Sequence, residues 1–364
     1  MSTVKVAGVG WAQPGGGEQP SHAELLYRAT RQALEDAGLK RDAITSAVTT
    51  SYDYVEGRNL SNQFTLDSIG GVMKSCDLRL SDDGIHSIAA GALEALSEPG
   101  GAVVVGAVQM AGTELIESTN RAVEEVYFEP LYLRPILAGA AHPEALAFGL
   151  AARAYLERHG IDEAKLAELV AARSAGSAAA RTVAEVLDSP VIAGPLREGH
   201  VASRADAAAT LILTTEAPNG ARATIRGTGW CAEDGQLANR DLSEQRPTAL
   251  AAKQAYEAAG VSDPAAELAR VETYNAYAID EAQAAEALGL ADSGKGLDAL
   301  LDGDKVNPTG GVQASGWARG AASLVQTVRA MEEMKDQPGA LLASQGWCGC
   351  GASSSAVAVF EIDG

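Results

Sequence analysis

The sequence has no long apolar run, little positive charge and no leader-like N-terminal pattern. No apolar stretch approaches the ~20 residues that a membrane-spanning helix requires, and the first residues lack a charged-then-apolar pattern. Among 364 residues, 28 are Lys or Arg and 48 are Asp or Glu, which gives a formal net charge of −20. Because nucleic-acid binding needs a basic face, we expect no nucleic-acid partner, no membrane contact and a soluble, cytoplasmic protein.

Cysteine and aromatic residues are also scarce. The four cysteines, Cys76, Cys231, Cys348 and Cys350, are too few for a disulfide scaffold. Cys348 and Cys350 form C-x-C rather than C-x-x-C, with no cluster of His or Cys nearby, so no metal site is expected. In contrast, 46% of the residues are hydrophobic and 39 are glycine. This composition favours a large core with tight turns and closely packed elements.

Strand and helix patterns alternate along the first part of the chain. Short apolar runs predict buried strands at Val4–Val9, Ala47–Thr50, Asp77–Leu80 and Ala102–Val108. Apolar residues at helical spacing predict amphipathic helices at Ala23–Ala37 and Ile85–Leu96. This order predicts an α/β protein with a sheet buried on both faces.

The next segment, Met110–Val191, has a different pattern. It shows no strand alternation, and Pro143–Arg158 and Glu163–Ala180 have helical spacing. We interpret it as an inserted helical domain of the kind that often covers an active site, after which a strand is predicted at Ala207–Thr214. The predicted organisation is a first half over 1–109, an inserted helical domain over 110–191, a return to the first half over 192–218 and a second half over 219–364.

The second half repeats the first. Gly8-Val9-Gly10-Trp11 matches Gly227-Thr228-Gly229-Trp230, and ALEDAG at Ala33–Gly38 matches AYEAAG at Ala255–Gly260. Further strands are predicted at Val271–Tyr274 and Ala340–Ser344, in the same order as in the first half. A repeat of about 110 residues indicates two fused domains rather than a solenoid.

The most informative stretch is Val306–Met331, VNPTGGVQASGWARGAASLVQTVRAM. Its glycines, among them Gly311 and Gly316, permit tight turns and a close approach of the backbone to a ligand. Apolar residues at i, i+3 and i+4 then predict a core-facing helix. Its N-terminal N–H groups are suited to bind a carbonyl, an oxyanion or a phosphate, but the pattern also fits an ordinary helix packed closely on a sheet.

Together these features resemble the thiolase superfamily, most of all the sterol-carrier-protein-type thiolases and their lipid-transfer-protein relatives. Four segments carry the resemblance in the family's order: Ser189–Ala209 (usually ending Ser-Asp-Gly-Ala-Ala), Val271–Leu290 (Asn-Glu-Ala-Phe or His-Asp-Cys-Phe), Val306–Gly320 (Gly-His-Pro) and Gly346–Phe360 (Cys-x-Gly). The resemblance implies a thiolase fold, with two duplicated α/β halves in a five-layered α-β-α-β-α arrangement and an inserted helical loop domain.

At the family's catalytic positions the sequence departs from the pattern. Ser81 stands where the family carries the cysteine that a thioester acylates. Trp317 replaces the histidine of Gly-His-Pro, and its indole can donate one N–H but cannot transfer protons. Asn275 matches the Asn or His that holds a catalytic water or an oxyanion. Tyr277 stands at the usual Phe, as a catalytic hydroxyl or as a buried aromatic.

Each of the other candidate site residues has two possible roles. Cys348 or Cys350 corresponds to the family's acid/base cysteine, and the register does not decide between them. Asp83 either caps the helix that follows Ser81 or acts as a base, and His86 on its first turn either caps it or points towards the site.

A last group concerns ligand binding. Three arginines are either ordinary exposed side chains or contacts for the phosphates of coenzyme A: Arg197, Arg204 and Arg319. Gly311 and Gly316 are the glycines expected to face that ligand. We expect His200, in a loop, to be solvated.

The resemblance implies three functions. The first is carbon–carbon bond cleavage or formation of the retro-aldol type on an acyl-CoA thioester, without the acylated cysteine. The second is a non-catalytic subunit that pairs with an active thiolase-like chain. The third is a 3-ketoacyl-CoA thiolase or acyltransferase with an atypical nucleophile.

The resemblance also implies cofactors and partners. Coenzyme A enters as the thioester substrate, and no covalently bound cofactor is expected. The chain is expected to form a homodimer or a heteromer with a thiolase-like chain, and to work with a small partner subunit built from an OB-fold and a zinc ribbon.

Overall fold

A computed structural model describes residues 3–52, 65–74, 76–80, 83–114 and 143–364, and the structural statements below concern those residues. The strands are β1 (Lys5–Ala12), β2 (Ile44–Thr50), β3 (Cys76–Leu80), β4 (Ala102–Gln109), β5 (Val191–Ala193), β6 (Leu196–Arg197), β7 (Ala207–Thr214), β8 (Ala223–Ala232), β9 (Leu268–Glu272), β10 (Leu341–Cys348) and β11 (Ser354–Ile362). The helices are α1 (His22–Ala37), α2 (Leu66–Ile69), α3 (Gly84–Ser97), α4 (Pro143–His159), α5 (Ala164–Ser174), α6 (Val183–Asp188), α7 (Arg246–Ala259), α8 (Pro264–Glu267), α9 (Ala278–Ala287), α10 (Gly296–Asp302), α11 (Gly311–Ser315) and α12 (Ala322–Glu333).

The main sheet confirms the predicted duplication. Its nine strands lie in the order β3-β2-β4-β7-β1-β8-β11-β10-β9. In the first half β2 and β4 are parallel, and β7 runs antiparallel to both β4 and β1. In the second half β9 and β10 are parallel, and β11 runs antiparallel to both β10 and β8. The halves join where Lys5 pairs with Thr224 and Val6 with Ala223.

Helices cover the sheet in layers, as the predicted fold class requires. The helices α3 and α12 contact each other and strands of both halves, so they form the middle layer. The helix α1 packs on β1, β7 and β4, and α7 packs on β8 and β11. Separate apolar clusters fill the space under α1, around the middle layer and under α7. The α-β-α-β-α fold predicted from the sequence is therefore confirmed.

Glycines at matching positions of the two halves allow the outer helices to pack closely on the sheet. A Cβ atom at Gly10 would overlap the carbonyl oxygen of Ala29 in α1, and a Cβ atom at Gly229 would overlap that of Ala251 in α7. In both halves the strand glycine thus permits the backbone of the helix to lie directly on the strand. The repeated Gly-x-Gly-Trp motif therefore encodes helix-on-strand packing.

We expect Gly229→Ala to destabilise the fold by about 1–3 kcal/mol or more, because the obstructing atom belongs to a helix backbone that must shift. The measurement is the free energy of unfolding from denaturant titration. Gly16→Ala is the matched control, since no atom lies within 4 Å of its added Cβ. Equal stabilities of the two variants would contradict this role of the glycine pair.

The inserted segment between β4 and β7 differs in detail from its predicted pattern. The helix predicted to reach Ala180 ends at Ser174, because Gly176 adopts a left-handed conformation (φ 73°) and breaks the helical path. The β5–β6 hairpin follows α6 and packs on α4. None of the described helices is long and apolar enough to cross a membrane.

Candidate active site

The glycine-rich stretch adopts a broken path. Gly310 (φ 86°) and Gly311 (φ 59°) begin the short helix α11, and Gly316 (φ 90°) ends it before Trp317. A 3₁₀ turn at Arg319–Ala321 then leads into α12. The core-facing helix predicted after the glycines is therefore present as α12, and Gly316 turns the chain out of helical geometry before it.

Asn275 joins the glycine-rich stretch to the β9–α9 loop through hydrogen bonds. Its Oδ1 accepts a hydrogen bond from the Val312 N–H (2.9 Å), and its Nδ2 donates to the Gly310 carbonyl (3.2 Å) and to Glu281 (3.1 Å). A Cβ atom at Gly311 would overlap Asn275 Oδ1. The side chain that was predicted to hold a water or an oxyanion is therefore engaged with the loop.

A buried polar network supports Asn275. Glu281, which is fully buried, accepts from Arg173 Nε (2.7 Å) and from Asn307 Nδ2 (2.8 Å) as well as from Asn275. Asn307 in turn donates to Thr273 Oγ1 (2.8 Å). Because one carboxylate receives donors from three elements, it fixes the two loops relative to α5.

Aromatic side chains line the floor of the site. The Tyr277 ring stacks on Phe148 (4.1 Å between centroids), and Trp317 meets it edge to face at 5.6 Å. Trp347 packs against Phe148 (4.9 Å) and donates its indole N–H to the Tyr274 carbonyl. The Trp317 indole N–H, predicted as a donor to substrate, instead donates to the Tyr274 hydroxyl.

A cavity of about 650 Å³ lies between these aromatic residues and the inserted segment. It is lined by residues from several regions of the chain: Ala111 and Glu114; Glu144 and Ala145; Arg181, Glu185, Ser189 and Ile192; Glu198, Gly199 and 201–204; Tyr277; and Trp317 and Arg319. Its mixed lining, with apolar and charged walls, is typical of small-molecule sites.

Hydrogen bonds hold the extended segment 201–205 between the two loops. Ala202 N–H donates to the Ala276 carbonyl (2.8 Å), and Trp317 N–H donates to the Ser203 carbonyl (2.7 Å). Ala205 N–H donates back to the Trp317 carbonyl (3.1 Å). The wall from the inserted segment is thus joined to the loops that carry Tyr277 and Trp317.

Charged side chains lie close to Trp317. Arg319, almost completely buried, donates from Nη1 to both oxygens of Glu144 (2.8 and 2.9 Å). The Arg204 guanidinium lies 3.8 Å from the centre of the Trp317 ring, at the distance of a cation–π contact. Glu114 lies 3.7 Å from both arginines.

The Tyr277 hydroxyl makes no hydrogen bond to any described residue, although only 3% of the residue is exposed. Burial and the nearby Glu144 carboxylate raise its pKa well above the usual value, against the opposing effect of Arg319 and Arg204. At neutral pH it is therefore a protonated donor on the cavity wall.

The start of α3 lies in the core and does not line this cavity. The Asp83 carboxylate caps the helix by accepting from the Ile85 N–H (3.3 Å) and from the Ser323 hydroxyl of α12. His86 is buried, with Nδ1 near the Asp83 carbonyl (3.3 Å) and Nε2 near the Ser354 hydroxyl (3.4 Å). Both side chains therefore serve the contact between the halves, and Ser81 lies outside the described residues.

The C-x-C turn also has a structural environment. Cys350 is buried against Ala147 and Leu237, and burial raises the pKa of its thiol well above the usual value. Arg240 holds the turn by donating to the carbonyls of Cys350 (2.8 Å) and Gly351 (2.5 Å). The half-buried Cys348 ends β10. Neither cysteine lines the cavity.

The structure thus brings Tyr277, Trp317 and Arg319 together on the cavity, with Asn275 and Gly311 behind them and Gly316 beside Ala205. Sequence reasoning missed Glu114, Glu144 and Arg181. Nothing in their local sequence marks them, because they come from an insertion whose folding onto the site has no periodic signal. Among the described residues, no group of three or more His, Cys, Asp or Glu is placed to hold a metal ion.

His200, expected to be solvated, is buried beneath the cavity wall. Its Nδ1 accepts from the Arg197 N–H (3.0 Å), and its carbonyl accepts from Gln313. Burial, assisted by Arg197 and Arg181, lowers its pKa to about 4. It is therefore neutral at physiological pH, with the proton on Nε2.

A consequence of this burial is a loss of stability in acid. The unfolded state binds the proton near pH 6.5 and the folded state only near pH 4, so stability is full above 6.5 and falls as the pH drops through this window, by on the order of 3 kcal/mol. His200→Asn keeps an acceptor for the Arg197 N–H without titrating. We expect the wild type to lose more unfolding free energy than this variant between pH 7 and 4.5; parallel pH profiles would contradict the assignment.

Comparisons with known proteins agree with this architecture. No family model matches the chain. It is 30% identical over 168 residues to the benzoylsuccinyl-CoA thiolase subunit BbsB of Thauera aromatica, over 43% of each chain. It is 29% identical over 173 residues to an acetyl-CoA acetyltransferase of Methanothermobacter thermautotrophicus, over 43% of this chain and 44% of that protein. The chain therefore spans less than half the length of these curated relatives.

Solved structures match over the whole chain. The Ltp2–ChsH2(DUF35) aldolase superposes with a TM-score of 0.78 at 17% identity, covering 100% of this chain and 98% of that one. A monomeric SCP2-thiolase-like protein of Mycobacterium smegmatis gives 0.73 at 20% identity (99% and 77%), and human mitochondrial 3-ketoacyl-CoA thiolase gives 0.76 at 15% (100% and 99%). At these identities the likeness shows the fold alone.

The class is therefore that of thiolase-fold proteins. The chain has the fold of these solved structures, and 43% of it is similar in sequence to two proteins named as a thiolase subunit and an acetyltransferase.

Proposed function

We propose that this chain acts on an acyl-CoA thioester and breaks or forms a carbon–carbon bond by aldol chemistry, without an acylated cysteine. The observation that carries the proposal is the Tyr277 hydroxyl, which lies on the cavity wall with no hydrogen bond to the described residues. The side chains at two other catalytic positions of the family, Asn275 and Trp317, donate their N–H groups to protein partners instead. Of these three positions, Tyr277 is therefore the one whose polar group is available to substrate.

The proposed cleavage starts from a 3-hydroxyacyl thioester. In the ionised form of Tyr277 the phenolate oxygen takes the proton of the 3-hydroxyl, the bond between carbons 2 and 3 breaks, and carbon 3 becomes the carbonyl of an aldehyde or ketone. The electron pair passes to carbon 2 as the thioester enolate, which then takes up a proton to give the shortened acyl-CoA. In the reverse direction protonated Tyr277 donates to the alkoxide that forms.

The charged wall supports this step. The enolate develops negative charge, which fixed positive groups in the cavity wall stabilise. Arg319 lies beside Trp317, where its pairing with Glu144 holds it in place and offsets part of its positive charge. Glu144, which lines the cavity, is the carboxylate nearest to this arginine.

We further propose that the chain works in a heteromeric assembly. One curated relative is named as a subunit, and one structural neighbour is named for two components, Ltp2 and ChsH2(DUF35). The family resemblance implies a small OB-fold, zinc-ribbon partner for this chain. Co-purification of the tagged chain with such a subunit, and its absence from a mock purification, tests this part.

The reaction is tested with the purified chain, alone and with that partner. We expect 3-hydroxyacyl-CoA to yield a carbonyl compound and a shortened acyl-CoA, both measured by mass spectrometry. Free coenzyme A is not consumed in this reaction. Thiolysis of 3-ketoacyl-CoA with coenzyme A consumption and an acyl group on Ser81 would instead establish the third function, acyl transfer.

A specific observation favours a second candidate, the non-catalytic subunit. The polar groups of Asn275 and Trp317 are engaged by protein partners, and Cys350 is buried away from the cavity. In that case the chain supplies an architecture while a thiolase-like partner performs the chemistry. The discriminating result is an active complex whose turnover is the same with Tyr277→Phe as with the wild type.

A further inference from the structure

Two arginines of the inserted segment face the cavity on either side of Ser203. The Arg181 guanidinium donates to the carbonyls of Gly199 (2.5 Å) and Val201 (3.0 Å) and to the Ser203 hydroxyl (3.3 Å). All three acceptors are neutral, and no ion pair joins Arg181 to a carboxylate of the described residues. The positive charge of Arg181 is therefore not neutralised locally.

Arg204 is closer to the aromatic floor. It lies on the Trp317 ring, and its side chain is 38% exposed. Glu114, its ion-pair partner among the described residues, is 3.7 Å away and equally distant from Arg319. At that distance the carboxylate forms no direct hydrogen bond to the guanidinium, so the donors of Arg204 are available to a ligand.

The position of Arg204 is fixed by its surroundings. Its neighbours Ser203 and Ala205 are hydrogen-bonded to the backbone of Trp317 on both sides. Because the Arg204 guanidinium packs its face on the indole ring of Trp317, the N–H groups at its edge remain accessible. These N–H groups can donate hydrogen bonds, in the plane of the guanidinium, to a planar anion. A carboxylate matches this geometry with two parallel hydrogen bonds.

We propose that Arg204 binds a carboxylate on the acyl part of the substrate, so that the substrate class is acyl-CoA thioesters whose acyl group carries a second anionic group. The proposal rests on the proposed function, which places the acyl group beside Tyr277 and Trp317. The phosphates of coenzyme A lie at the far end of the pantetheine arm from the thioester. The anion that reaches Arg204 beside Trp317 is therefore on the acyl group, and Arg181 adds positive charge across Ser203.

The experiment measures binding rather than turnover. Two unreactive coenzyme A thioethers of equal length are used, one ending in a carboxylate and one in a methyl group. Isothermal titration with the full chain, and with its partner complex, gives the affinity of each. We expect the carboxylate compound to bind about tenfold or more tightly than its methyl counterpart.

Variants assign the preference to Arg204. Arg204→Gln is expected to remove the preference for the carboxylate compound by weakening the binding of that compound alone. Arg204→Lys is expected to retain part of the preference, because Lys keeps the positive charge but lacks the two parallel N–H donors of the guanidinium. Arg226→Gln, which changes an exposed arginine of β8 paired with Glu361, is the control and keeps the full preference. Circular dichroism and the thermal midpoint establish that each variant is folded.

The outcomes separate the two proposals. Equal affinity of the wild type for both compounds overturns the carboxylate site while leaving the proposed function standing. Equal weakening of both compounds by Arg204→Gln also overturns it, since the arginine then contacts the thioester or coenzyme A. Failure of both thioethers to bind the chain and its complex overturns the proposed function itself.

Discussion

Tyr277→Phe is expected to lower kcat/KM for carbon–carbon cleavage by about 10²- to 10⁴-fold, the usual contribution of a group that transfers a proton. The substitution removes one oxygen and keeps the ring that stacks on Phe148, so the cavity retains its shape. Affinity for an unreactive coenzyme A thioether should stay within about twofold of the wild type. The measurement is steady-state cleavage together with isothermal titration.

The control and the pH profile sharpen this prediction. Tyr27→Phe, at an exposed position of α1, should leave the rate unchanged. Because burial raises the pKa of Tyr277 well above its usual value, the ionised form is rare at neutral pH and cleavage should rise about tenfold per pH unit between pH 7 and 9. A plateau near pH 7, or full activity of Tyr277→Phe, would show that another group takes the proton.

The largest effect on stability is expected at Glu281. Glu281→Ala leaves the Arg173 guanidinium buried without its carboxylate and removes the acceptor of Asn275 and Asn307. Breaking a buried ion pair in this way costs about 3–5 kcal/mol. We expect this loss in the free energy of unfolding, measured by denaturant titration.

A surface ion pair provides the control for Glu281. Glu257→Ala breaks an exposed i,i+4 pair with Lys253, and its expected cost is about 0.5 kcal/mol or less. Glu281→Gln should cost less than Glu281→Ala, because an amide oxygen still accepts hydrogen bonds from the two asparagines. If Glu281→Ala and Glu257→Ala had the same stability, the network would not support the loops.

The fold could be predicted because its signals are local and repeated. Gly8 and Gly10 return as Gly227 and Gly229, and in each half a small residue of the helix packs on them. Apolar runs such as Ala102–Gln109 and Ala207–Thr214 are buried throughout, so their strand pattern is unambiguous. Such features depend on neighbours along one strand or one helix, which a single sequence displays.

The site was less predictable because its contacts join residues far apart in sequence. Trp317 was expected to offer its N–H to substrate, but Tyr274 takes that donor from 43 residues away. His200 was expected in solvent because loops usually lie at the surface, yet α5 and α6 pack against the turn at Glu198–His200 and His200 is buried. The residue type at these positions indicates which chemical groups are present. Their hydrogen-bond partners in the folded protein decide whether those groups are available to a ligand.

The hydrogen bonds that join 201–205 to Ala276 and Trp317 have one more consequence. They fix the relative position of Tyr277, Arg204 and Trp317 before any ligand arrives, so binding requires little ordering of the protein. A rigid cavity of this kind favours the ligand that fits it and cannot adapt to one that does not. The protein should therefore tolerate few changes in the acyl group of its substrate. A broader substrate range should require weaker hydrogen bonds between 201–205 and the two loops rather than a larger cavity.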